Sequence, residues 1–178
     1  MTWFTENDAD VVVLRGSPAD RGRDQVKGAP IQEVVGTMTE RIEKAREAGH
    51  LGDAAQQYLE AQYDFAVHAS PNAIAELSGI ADGFKISEAD LFSHLHLGIL
   101  GDMAQTRRGD HDGCSAWAVS DGPDGPMVVK NRDFSGQHAG IQRVFRHHGE
   151  DLDHGPVLCL GSLGSPGAYS SGMNAAGL

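Results

Sequence analysis

Cysteine is scarce in this chain. Only Cys114 and Cys159 occur in 178 residues, too few for the disulfide framework of a small secreted domain. Basic charge is also short: 14 Lys and Arg face 25 Asp and Glu, for a net charge of −11. Phosphate backbones are bound by clustered Lys and Arg, so this balance argues against a nucleic-acid partner. The only basic spots, Arg107-Arg108 and Arg143/Arg146-His147-His148, read as solvated surface. No apolar run approaches the roughly eighteen residues of a membrane span. Met1 to Asp10 is acidic and polar, without the basic flank and apolar stretch of a signal peptide. The expectation is a reduced, cytoplasmic protein with no membrane or nucleic-acid partner.

Other absences remove specific chemistries. The nine histidines offer no pair at the i, i+4 spacing of a helical zinc site: His94 and His96 are two apart and His147-His148 adjacent, so no metal is expected. Gly161-Ser162-Leu163-Gly164-Ser165-Pro166-Gly167 lacks the Lys-Ser/Thr ending of a phosphate loop and reads as a tight turn. It also fails Gly-x-Ser-x-Gly, which removes the serine-hydrolase elbow.

What is present falls into two halves. The length suits one domain, and the acid load is concentrated in front, with ten basic against nineteen acidic residues before Cys114 and four against six from there on. Val11–Leu14 reads as a short strand and Ser17-Pro18 as a helix start. Ile31, Val34, Val35, Met38, Ile42 and Ala45 recur at helical spacing and predict a helix from Ile31 to about Ala48, ending at Gly49. Asp53–Ala69 reads as a helix burying Tyr58, Leu59, Phe65 and Ala66. Ser70-Pro71 opens another, packed through Ile74, Leu77, Gly79 and Ile80, and Ser87 with Asp90 resembles a capping box opening a fifth to about Met103. Thr106–Asp112 is polar and aperiodic, as a cuttable connector would be. The chain then turns to β, at Ser115–Ser120, Met127–Lys130, Ile141–His147, Val157–Leu160 and Ala168–Met173. Helices followed by strands predict an α+β fold, divided into a front segment, 1–113, and a β part, 114–178.

The junction between the halves carries the chemistry. A Gly-Cys step at a strand start is ordinarily a packed small residue. A cysteine freed by cleavage of its own peptide bond, however, carries an α-amine, with a pKa of about 7.7–8, within reach of its sulfur. Gly113, lacking a Cβ, suits the scissile position. Asn131 and Asp133 alternate, so on a strand they share a face. Asp133 could hold the new amine or cap the turn at Phe134-Ser135-Gly136, and the Asn131 amide could serve an oxyanion or stabilise a turn. Backbone N–H groups near Ser115 are candidate oxyanion donors, while Trp117 reads as core. Asn174 could line the site or hold a bulge or turn. Cys159, in an apolar strand, is expected to be inert.

These pieces together resemble the acyl-coenzyme A:6-aminopenicillanic acid (isopenicillin N) acyltransferase family of autoproteolytic N-terminal-nucleophile hydrolases. The resemblance rests on Glu76-Leu77-Ser78-Gly79-Ile80-Ala81-Asp82-Gly83, Asp112-Gly113-Cys114, Asn131-Arg132-Asp133-Phe134 and Gly172-Met173-Asn174-Ala175-Ala176-Gly177-Leu178, in that order. Arg132 stands where relatives usually carry Trp, which bears on acyl-pocket shape. Relatives also run past the closing strand, so the chain reads as the front part of a longer protein or one needing a partner chain. The resemblance implies a four-layer α-β-β-α sandwich with Cys114 opening a central strand. It further implies self-cleavage between Gly113 and Cys114 into associated fragments, with Cys114, Asp133 and Asn131 catalytic and Ser115, Arg132 and Asn174 contacting substrate. No cofactor is expected beyond acyl-CoA as a candidate acyl donor, the substrate is a small acyl amide or acyl thioester, and assembly as a homo-oligomer is left open. The rivals are a dedicated acyl-CoA-dependent N-acyltransferase and a non-catalytic binding or scaffolding member of the fold. Hydrolases of the bile-salt and acylethanolamine type are disfavoured, because their cysteine follows the initiator Met or a short leader.

Overall fold

The computed structural model describes residues 11–104, 114–131, 136–167 and 171–177. After strand β1 (Val11–Arg15) come five helices: α1 (Pro18–Asp24), α2 (Ile31–Glu47), α3 (Asp53–Ala69), α4 (Pro71–Phe84) and α5 (Glu88–Ala104). Strands β2 (Ser115–Gly122) and β3 (Gly125–Asn131) follow, then a 3-10 turn (Gly136–Ile141), β4 (Gln142–His148), β5 (Val157–Ser162) and β6 (Ser171–Asn174). The fold is mixed α and β, helices first, as the hydrophobic periods predict. Helix starts follow local chemistry. Ser17 Oγ accepts the Asp20 N–H at 3.3 Å and Asp20 answers the Ser17 N–H, a capping box with Pro18 in the first turn. Ser87 Oγ accepts the Asp90 N–H at 3.0 Å at the head of α5.

The strands form two sheets among the described residues, a four-stranded one in the order β1-β4-β5-β6 and a two-stranded one of β2 and β3. β1 runs parallel to β4, with Leu14 opposite His147, so a strand from before the Gly113/Cys114 junction is built into a sheet from after it. β5 is antiparallel to β4 and to β6. One face of this sheet carries Leu14, Phe145 and Cys159, which join Val34, Met38, Leu77, Ile80, Phe84, Leu91 and Phe92 of the helices in a single core. Among the described residues β2 pairs with β3 alone.

The seam between α1 and α4 explains the Gly79-Ile80-Ala81-Asp82-Gly83 segment physically. A Cβ on Gly79 would stand 2.8 Å from the Ala19 carbonyl carbon and closer still to its oxygen. A Cβ on Gly22, from the facing helix, would stand 2.8 Å from the Ile80 nitrogen. Backbone therefore lies on backbone, an approach that only glycine allows. The same two elements carry Gln25 and Glu76 to the segment that follows β5, where they bond to Gly164, Ser165 and Gly167.

One helix face differs from expectation. Of the residues assigned to the core from α3, Phe65 is 68% exposed, and Ala55 is the buried residue of that helix. α3 meets the core through Leu59 and Tyr63, and Phe65, two positions beyond Tyr63, turns to the far side. Among the described residues, no helix is long and apolar enough to cross a membrane.

Candidate active site

Cys114 is exposed and stands immediately before β2. The strand folds back through the Gly122–Gly125 turn, where Gly125 takes φ +105°, and returns in register with Trp117 opposite Val129 and Ser115 opposite Asn131. The open end of this hairpin thus brings Cys114, Ser115 and Asn131 together, as their order in the chain predicts. Gly113, Arg132 and Asp133 lie outside the described residues. No residue from 114 to 131 is buried. Trp117, read as core from sequence, is 52% exposed, because the face of the hairpin that carries it has no second layer against it among the described residues. Among these residues the Cys114 thiol makes no hydrogen bond.

Asn174 belongs to the other sheet, at the end of β6 opposite Val157. Its Oδ1 accepts the Ala176 N–H at 3.1 Å, and its carbonyl accepts the Gly177 N–H at 3.0 Å. These bonds hold the turn that follows β6. Cys159 is the opposite of Cys114. It is 2% exposed in the core, its thiol donates to the Gly167 carbonyl at 3.5 Å, and burial, with the nearby Glu76 carboxylate, pushes its pKa up to about 12. A thiol so hard to ionise is no nucleophile at neutral pH.

Two buried polar groupings have no counterpart in the sequence reading. In the first, Arg21, 3% exposed, forms a two-pronged pair with Asp151 at 2.7 and 2.8 Å and also donates to the Gly16 carbonyl. The charge-assisted bond from Arg21 holds the Asp151 carboxyl below its ordinary value. Beside it lies Glu76, raised chiefly by burial although it accepts the Gly167 N–H. His147 Nδ1 is 3.8 Å from Glu76 Oε1, beyond hydrogen-bond reach. Burial, seconded by the Arg21 charge, lowers His147 to about 4, so the ring is neutral at neutral pH and the contact is not an ion pair. The signal for Glu76 was present: it shares the α4 stripe of Gly79, Ile80 and Gly83, where an acid is out of place.

In the second grouping, Arg41 Nη1 lies 3.0 Å from His138 Nε2 and 3.4 Å from His94 Nε2. Guanidinium only donates, so both Nε2 atoms accept and both rings carry their proton on Nδ1. His138 Nδ1, 3.2 Å from Ser162 Oγ, is therefore a donor to that hydroxyl and not a base for it, which removes Ser162 as an activated nucleophile. His94, buried and facing Arg41, is lowered to about 3. Among the described residues no group of three His, Cys, Asp or Glu could hold a metal ion. Compared with models of protein families and with curated proteins, the chain matches none.

Proposed function

We propose that the protein is a cysteine N-terminal-nucleophile amidohydrolase, self-cleaved between Gly113 and Cys114 and folded as the four-layer sandwich with Cys114 opening a strand of a central sheet. The observation that carries this reading is the contrast between the two thiols. Cys114 is exposed at the head of a strand with Asn131 across from its neighbour, whereas Cys159 is buried and inert. The Cys114 sulfur adds to the Gly113 carbonyl and the C–N bond breaks. Gly113 is then esterified to sulfur and the Cys114 amine is free; water hydrolyses the thioester to the Gly113 carboxylate and the thiol. The amine then takes the thiol proton, the thiolate adds to an acyl amide, the leaving amine departs with that proton, and water releases the acyl group. Asp133 holds the amine and the Asn131 amide donates to the oxyanion, with Ser115, Arg132 and Asn174 toward the substrate.

The parallel β1–β4 pairing and the Arg21–Asp151 pair both cross the junction, which supports fragments that stay associated after cleavage. Hydrolysis is favoured over transfer to an amine. A transferase needs an anchor that holds its acceptor and excludes water, and Arg143, one of the arginines available for that, is engaged with the Gly140 and Gln142 carbonyls at 3.0 and 2.7 Å. The rival, a non-catalytic scaffold of the same fold, draws on the same exposed hairpin. Intact-mass measurement separates them. The parent chain, supplied with any continuation it has, should give two fragments with Cys114 at the new N-terminus, Cys114→Ala should stay whole, and Cys159→Ala should cleave. A parent chain that stays whole with full activity overturns the mechanism, and one whole and inactive supports the scaffold.

A further inference from the structure

The segment leading from β5 to β6 is gripped from several sides. Gln25, the residue that caps the C-terminal end of α1 and is 1% exposed, uses both ends of its amide: Nε2 donates to the Ser165 carbonyl at 3.0 Å and Oε1 accepts the Gly164 N–H at 2.9 Å. Glu76 of α4 accepts the Gly167 N–H at 3.0 Å. The Cys159 thiol donates to the carbonyl of the same glycine, and the Leu163 N–H donates to the Ile141 carbonyl at 2.9 Å. Gly164 sits at φ +83°, a conformation that favours glycine. A turn needs far less, since Ser165 N–H already bonds back to the Ser162 carbonyl at 3.1 Å.

Burying a glutamine and a glutamate is costly unless their hydrogen bonds are made. Buried polar contacts that are made in this way select one arrangement of backbone over others. The arrangement selected here concerns β6. That strand has four residues and, among the described residues, forms an edge of its sheet, paired with β5 alone. Gly167, anchored by Glu76, precedes the first residue of β6 by four positions in the chain.

We propose that Gln25 and Glu76 are positioning residues for the site. Acting through the Leu163–Gly167 segment, they set the place of β6 and its Asn174, so the part of the chain before the Gly113/Cys114 junction remains a working part of the site after that bond is cut. The role of Asn174 toward substrate rests on the function proposed above; the clasp itself does not.

The test compares Glu76→Gln, Glu76→Leu and Gln25→Met in the full chain. It reads amide hydrogen exchange over residues 163–174, the alkylation rate of Cys114 by iodoacetamide, and kcat and KM on a simple acyl amide. Glu76→Gln keeps a carbonyl acceptor for Gly167 and is expected to match the parent. Glu76→Leu and Gln25→Met orphan buried amides, and exchange over 171–174 should quicken by about ten- to a hundred-fold. kcat/KM should fall by a similar factor while Cys114 alkylates at the parent rate. Unchanged exchange over 171–174 in both apolar variants overturns the proposal, as does protection lost equally in Glu76→Gln. If Glu76→Leu does not fold, Gln25→Met and Glu76→Gln decide. A parent with no cleavage and no turnover would end the enzymatic reading, and the exchange data would still decide the clasp.

Discussion

Replacing Gly79 by Ala puts a single methyl group into the α1–α4 seam, and the structure sets the sign of the result. Alanine is favoured over glycine inside a helix by about 1 kcal/mol. Against that, the new Cβ would lie 2.8 Å from the Ala19 carbonyl carbon and 3.0 Å from its Cα, with the carbonyl oxygen nearer still. All three are backbone atoms, and no side-chain rotation relieves them. The helices must part by on the order of an ångström, which loosens the packing of Leu77 and Ile80 beneath. Overpacking costs about 1–3 kcal/mol, and occasionally more, and a backbone obstacle belongs at the upper end. The expected net loss is about 2 kcal/mol, or a fall in Tm of roughly 4–8 °C for a chain of this size. Gly36→Ala is the internal control. It makes the same change inside α2, where a Cβ meets nothing within 4 Å, and should gain up to about 1 kcal/mol. Urea melts of parent and both variants, fitted with a common slope, measure the difference. A Gly79→Ala variant as stable as the parent, or a Gly36→Ala loss of equal size, would refute the backbone-on-backbone account.

Two further outcomes follow from the buried groups. Iodoacetamide at pH 8 should modify one thiol of the native protein, Cys114, and reach Cys159 only in denaturant; comparable rates at the two would contradict a core thiol pushed to about 12. Stability should fall on acidification from pH 7 to 5, because His94 and His147, lowered to about 3 and about 4, stay neutral when folded while the unfolded rings protonate near 6.5. The slope is up to about 1.4 kcal/mol per pH unit for each ring, partly offset by Glu76, whose raised folded value works in the opposite direction. Urea midpoints at pH 7 and 5 test this, with His147→Gln expected to flatten the profile; a midpoint independent of pH in the parent would show that the rings are not held neutral.

The elements and their order were legible in the amino-acid sequence because local rules write them. The i, i+3, i+4 spacing from Ile31 onward, the Ser17 and Ser87 caps and the Gly122–Gly125 turn act over a few residues, and the structure places α2, α1, α5 and the β2–β3 hairpin accordingly. The inertness of Cys159 was legible for the same reason, from the apolar strand around it. Which surfaces meet was not. Phe65 and Trp117 looked apolar enough to bury, but exposure depends on whether another layer arrives, and local periodicity does not specify that layer. Arg21 with Asp151, Gln25 with Gly164, and Glu76 with Gly167 join residues far apart in the chain. They meet because Gly22 and Gly79 let two helix backbones touch and because β1 pairs with β4. Only the tertiary structure decides such pairings, since the desolvation that makes buried charges and amides matter exists only after the chain has closed around them.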